Sequence, residues 1–178
     1  MITIKIILCT TFGYIFLSSA FDKILNIQNH YLSITAYKIL PTKLSYPFAV
    51  FDIVLEASIA LSLIFGFYLK VSLLSAALLL GMYTVAVAIN LFRGRTEIDC
   101  GCGGVVGTHK ISIKLIMRNL SFISIIFILA LKFNIHTFFY NFNSEFWMLQ
   151  TLFIFLCLTF IMYLEAFSYT NQLKKLMR

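Results

Sequence analysis

The sequence is short of charge. Of its 178 residues only 14 are basic and 7 acidic, 12% in all, while 61% are hydrophobic and the mean hydropathy is +0.94. Soluble domains carry charge on about a quarter of their residues. A water-facing skin is therefore out of reach, and a soluble globular protein is excluded. Acidic residues are the scarcer sign, which leaves a net charge of +7. In a soluble chain that excess would point to nucleic acid. Here it gathers at the ends of apolar runs, where lipid headgroups and membrane orientation put it, so membrane lipid and no nucleic acid is the expected partner. Four cysteines do not make a secreted disulfide framework: Cys9 and Cys157 sit alone in long apolar runs, as small hydrophobes do. There is no internal repeat, low-complexity tract or second domain. The apolar runs are also too long for barrel strands, which leaves helices to satisfy the backbone in lipid.

Five runs approach the roughly 20 apolar residues that cross a bilayer as a helix: 2–21, 47–68, 71–92, 111–131 and 146–164. The fold class expected is an all-α integral membrane protein, a bundle of about five transmembrane helices with a four-helix core plus a C-terminal helix, in one domain over 1–178. Pro47 suits the first turn of the second span. A tight connection around Lys70 turns the second span back into the third. Between the first two, residues 31–40 read as a short interfacial helix ended by Pro41. Lys5, the apolar run and Ser18-Ser19-Ala20 also look like a secretory signal, but an uncleaved first helix is the expectation.

Five crossings put the first connection, the loop 93–110 and the C-terminus on one side. The charges near the spans collect there. Asp22 and Lys23 end the first span, Asn90 lies at the end of the third, and Asp52 and Glu56 share one face of the second at i, i+4 spacing. Lys114 and Arg118 repeat that spacing on the fourth. Ionisable groups in a bilayer face the protein interior and pair. The expected pairs are Glu56 with Arg118 and Asp52 with Lys114, serving either to lock the helices or to move protons.

The chemistry concentrates in Asp99-Cys100-Gly101-Cys102-Gly103-Gly104. Thiol–disulfide exchange needs one thiolate to attack and a second thiol to resolve the mixed disulfide, and two close cysteines supply both. Arg93, Arg95, Lys110 and the start of the fourth span bring positive potential that favours a thiolate. Gly101 relaxes the backbone for a tight Cys-x-Cys ring. Asp99 opposes thiolate formation unless it serves as a local base or pairs with Arg95. A metal reading stands beside this one, with Cys100, Cys102, His109 and Asp99 as ligands, though no second ligand pair is obvious. A structural or silent pair is the third reading.

The runs Asn90-Leu91-Phe92-Arg93-Gly94-Arg95, Asp99 to Gly104 and Arg118-Asn119 resemble the methylamine-utilisation MauE family, within the wider DoxX-like group. Lys23, Tyr37-Lys38-Ile39-Leu40-Pro41 and Glu56 match as well, and the resemblance covers about Thr11 to Leu131. It implies a bacterial inner-membrane protein that works with a thioredoxin-like redox partner. It also implies a client protein needing disulfides, in the family the small subunit of methylamine dehydrogenase. The architecture is similar, too, to four-helix thiol oxidases of the vitamin K epoxide reductase type, which reduce a quinone. Cys-x-Cys stands here in place of their Cys-x-x-Cys, which argues against direct quinone chemistry and leaves a quinone as an open cofactor. The supporting site residues are then Asp99, Gly101, Arg93, Arg95, Asn90, Glu56, Arg118 and Lys23, around catalytic Cys100 and Cys102.

Orientation divides the signals. Lys23, Lys38, Lys43, Arg93, Arg95, Lys110 and the tail residues Lys174, Lys175 and Arg178 share the loop side, against Lys5, Lys70 and Lys132 opposite. Counting charges alone puts the loop in the cytoplasm. Disulfide chemistry belongs outside the cytoplasm, and Lys5 favours an N-terminus inside. The expectation is an extracytoplasmic loop on a multi-pass protein of the bacterial cytoplasmic membrane. The expected function is thiol–disulfide oxidoreduction, with a non-catalytic docking or assembly factor and a metal-binding membrane protein as alternatives.

Overall fold

The computed structural model describes residues 2–98, 100, 110–133 and 152. The described helices belong to one compact unit, Met1–Tyr140. In chain order they are α1 (Ile2–Leu25), α2 (Ile27–Ala36), α3 (Thr42–Phe65), α4 (Leu69–Phe92) and α5 (Ile113–Ala130). All but α2 are long and apolar enough to cross a membrane. The expected all-helical membrane bundle is what the chain forms. The fifth expected span, 146–164, lies outside the described residues apart from Leu152.

A break at Asn26 separates α1 from α2: its φ of −117° leaves the helical region, and its side-chain amide donates back to Asp22 Oδ1 at 3.1 Å. Lys38 adopts a left-handed φ of 50° after α2, and extended Pro41 then feeds α3. The short helix is therefore 27–36, earlier than the 31–40 expected, and α3 starts at Thr42, before Pro47. Pro47 lies inside α3. Its missing N–H removes one helical bond, to the carbonyl of Lys43 in the first turn.

Two glycines stop helices by the same device. Gly66 (φ 77°) turns the chain after α3 while Phe67 N–H donates to Ser62 O at 3.0 Å. Gly94 (φ 70°) does so after α4, with Arg95 N–H on Asn90 O at 3.0 Å and Gly94 N–H on Leu91 O at 3.0 Å. This is the left-handed cap that satisfies the last carbonyls of a helix. The α3–α4 turn is thus 66–68, and Lys70 already belongs to the first turn of α4.

Packing is closest between α1 and α3 and between α4 and α5. Gly13 is the reason α1 and α3 lie so near: a Cβ there would sit 2.8 Å from Ile64 Cγ1 and 3.1 Å from Ala60 O. Leu63, Leu73, Leu79 and Ile126 fill the centre, and Phe12 meets Phe122 edge to face at 5.9 Å across α1 and α5. Phe51, Leu61, Leu78, Val85 and Ile128 stand exposed on the outer faces. An apolar exterior of this extent is stable only against lipid.

Candidate functional site

The ends of α1, α3 and α4 nearest the cysteine segment enclose a charged cluster. Lys23, Asp52 and Glu56 are each 2–3% exposed. Lys23 Nζ lies 3.0 Å from Asp52 Oδ2 and 2.7 Å from Glu56 Oε2. It also donates to Tyr83 Oη at 2.9 Å and sits over that ring, while Tyr83 Oη donates to Asp52 Oδ1 at 2.6 Å. Three ammonium hydrogens meet three oxygens from two helices. His30, from α2, brings Nε2 to 3.1 Å from Asp52 Oδ2; its Nδ1 is buried with no partner.

Both expected pairings are thereby corrected. Glu56 and Asp52 are taken by Lys23, and among the described residues no ion pair joins Arg118 to Glu56 or Lys114 to Asp52. Lys114 is exposed on α5. The reason lies in helix order. α1 packs against α3, whereas α5 packs against α4, so the cation nearest the carboxylates comes from the end of α1. Arg118 still approaches Glu56 across a cavity of about 40 Å³ that Ser19 and Asn119 also line. Arg118 Nε and Asn119 Nδ2 are buried there without partners.

Cys100 is 6% exposed, beside Val87, Ile111 and Leu115. Apolar side chains of α4 and α5 close over it, and Tyr37 Oη donates to its carbonyl at 2.9 Å, tying the end of α2 to the cysteine segment. Ile111 N–H donates to Ile98 O at 3.1 Å and Lys110 pairs with Glu97, so the loop is pinched at its neck. Asn90 is fully buried, its Nδ2 on Ala86 O at 3.0 Å and its Oδ1 unpartnered. Arg93 is exposed beyond α4, while Arg95 is half-buried with Nη1 unpartnered. Asp99, Gly101, Cys102, Gly103, Gly104 and His109 lie outside the described residues. Among the described residues no group of three or more metal-binding side chains occurs.

A cavity of about 210 Å³ joins the two clusters: Lys23, His30, Asp52 and Tyr83 form one end and Cys100 another part of its wall. Sequence reasoning missed His30 and Tyr83. Tyr83 and Asn90 lie on one stripe of α4 at i, i+7, a polar pair inside an uncharged span. His30 carries no comparable signal, because the break at Asn26 decides where α2 points.

The family model described as methylamine utilisation protein MauE matches residues 1–132. A methylamine utilization protein MauE of Paracoccus denitrificans is 33% identical over 106 residues, 60% of this chain and 57% of that protein. That of Methylophilus methylotrophus is 39% identical over 79 residues, 44% of this chain and 42% of the relative. That of Methylorubrum extorquens is 32% identical over 115 residues, 62% of each. The chain thus matches less than two thirds of the length of these curated relatives. No solved structure matches it. Four apolar spanning helices and a family match over most of the chain lead to one conclusion: this multi-pass membrane protein belongs to the MauE family.

Proposed function

We propose that the chain is a thiol–disulfide redox protein of the bacterial cytoplasmic membrane, serving the maturation of a disulfide-containing client through a thioredoxin-like partner. Its relatives are named for methylamine utilisation, and a methylamine-oxidising enzyme subunit is the client this reading favours. The observation that carries it is the cavity that Cys100 shares with Lys23, Asp52 and Tyr83 of the buried charged cluster. Exchange moves protons as well as electrons, and a thiol beside a network of buried proton-holding groups suits that work.

In the step proposed, a thiolate of the reduced partner attacks the Cys100–Cys102 disulfide. The intramolecular sulfur–sulfur bond breaks and a mixed disulfide forms. The partner's second thiolate then displaces the chain's cysteine. The partner leaves as disulfide, and the Cys100–Cys102 pair holds two electrons and two protons. Arg95, at the base of the loop, brings positive charge to the cysteine segment, and Tyr37 holds Cys100 in place.

The test uses a variant keeping only Cys100 and Cys102, in native membranes, with a maleimide that does not cross lipid. Labelling from the extracytoplasmic side only after reduction is the expected result. Free thiols reached only from the cytoplasm overturn it, as does a Cys100→Ser/Cys102→Ser variant that leaves client disulfides intact. The latter result would favour a docking factor.

A further inference from the structure

We infer that the cavity of about 40 Å³ between α1, α3, α4 and α5 is a binding site for ordered water, and that this water joins Arg118 and Asn119 to Glu56. The site does not depend on what the cysteine pair does. Two unmet donors point to it. Asn119 is 2% exposed and its Nδ2 has no acceptor among the described residues. Arg118 Nε is buried and lacks one as well. Both residues stand in the second turn of α5 and both line this cavity. Lipid offers such donors no bond, and a buried donor left unmet is costly.

The wall contributed by α3 supplies an acceptor. Glu56 lines the same space. One of its oxygens, Oε2, accepts from Lys23 Nζ at 2.7 Å, and a carboxylate has about four acceptor positions, so capacity remains. The occupant must therefore accept from two donors and donate to a carboxylate. A cation is repelled by the guanidinium and an anion by Glu56. An apolar molecule leaves both donors unmet. Water alone meets all three groups at the size of one heavy atom.

The space is right for it. A water needs about 10–15 Å³ of such volume, so there is room for one and for at most about three. Buried waters make about three hydrogen bonds, the number that Arg118, Asn119 and Glu56 offer. Phe12, Phe16 and Phe122 form the apolar part of the wall. Arg118 and Glu56 are thus partners after all, at the distance of a bridging water. The bridge also gives α5, which packs mainly against α4, a polar link to α3 and so to the Lys23 cluster.

The experiment uses the full chain in lipid nanodiscs, probed with hydroxyl radicals made by X-ray radiolysis of water. Such radicals modify side chains beside bound water even where bulk solvent does not reach. Phe12 and Phe16, 6% and 4% exposed, are the reporters. Both are expected to be modified in wild type and to lose most of that modification in Asn119→Leu, which removes a donor. The same loss is expected in Leu80→Phe, which fills the cavity and leaves both donors in place. Tyr46, exposed near the start of α3, is the dose control and stays constant. Helical content and elution volume check that both variants fold. The bridge is read from melting temperatures: Arg118→Gln lowers the wild-type value, and by less than half as much in a Glu56→Gln background. Reporters left unmodified in wild type, or modified equally in both variants, overturn the water site. Equal losses from Arg118→Gln in the two backgrounds overturn the bridge. Stabilisation by chloride over gluconate that Asn119→Leu abolishes assigns the site to an anion and overturns the inference.

Discussion

Lys23 is the residue on which the buried cluster depends. It balances one of two carboxylates in a place where neither is solvated. Removing one partner of a buried pair strands the other and costs about 3–5 kcal/mol. Lys23→Met is therefore expected to lower stability in detergent by about that amount in a chemical-denaturation curve. Asp52→Asn leaves Glu56 paired and brings the local charge to zero, so it should cost less than half as much; equal losses would mean that Lys23 acts through packing alone. Tyr37 offers a gentler probe. Its bond to the Cys100 carbonyl is worth about 0.5–1.5 kcal/mol, so Tyr37→Phe should speed maleimide labelling of reduced Cys100 about two- to tenfold, measured in a Cys102→Ser background. An unchanged rate would show that the apolar cover, not this bond, guards the thiol. That Asp52 and Glu56 share a face was legible from their spacing. Which cation meets them was not, because spacing within one helix says nothing about the helix opposite.

Among the elements, the α1–α3 pair sets the position of everything else. Gly13 lets the two helices approach until a Cβ at that position would press on Ile64, Ala60 and Leu63. A single methyl there forces the helices apart, and overpacking of this kind costs about 1–3 kcal/mol. Gly13→Ala should lower the melting temperature, and Ile64→Ala in the same chain should restore part of it, since Ile64 Cγ1 is the nearest obstacle and Ala60 O remains. Additive losses in the double variant would place the strain elsewhere. The Arg93-Gly94-Arg95 run gains a structural meaning at this scale. Gly94 turns the chain after α4 and leaves Arg95 against the bundle, so part of what marks this run in the sequence is the stopping of a helix.

For the whole molecule the question is which face of the membrane the cysteine segment meets. The connection between α1 and α3, and the segment between α4 and α5, lie at the same end of the bundle, joined by Tyr37 and Cys100. The α3–α4 turn lies at the other. Single cysteines at Gln28 and Lys70, in a chain otherwise free of cysteine, should be labelled from opposite sides, Gln28 from the extracytoplasmic one. Labelling of both from one side would contradict the bundle itself. Reversed labelling would leave the fold intact and overturn the extracytoplasmic placement of the proposed thiol chemistry.

The sequence by itself determined that the chain lives in a membrane, that it is helical, and that its polar residues collect at one end. Those properties follow from composition and from periodicity along a single helix, which neighbouring residues decide. Its paired-cysteine motif and family likeness were legible for the same reason, as short contiguous runs. Only the tertiary structure decided that Lys23 would hold both carboxylates, that His30 and Tyr83 would join it, and that Cys100 would be buried on a cavity shared with them. These are matters of which helix lies beside which, set by the close approach at Gly13, the break at Asn26 and the caps at Gly66 and Gly94. Contacts between residues tens of positions apart leave no local trace for a reading of one chain to find.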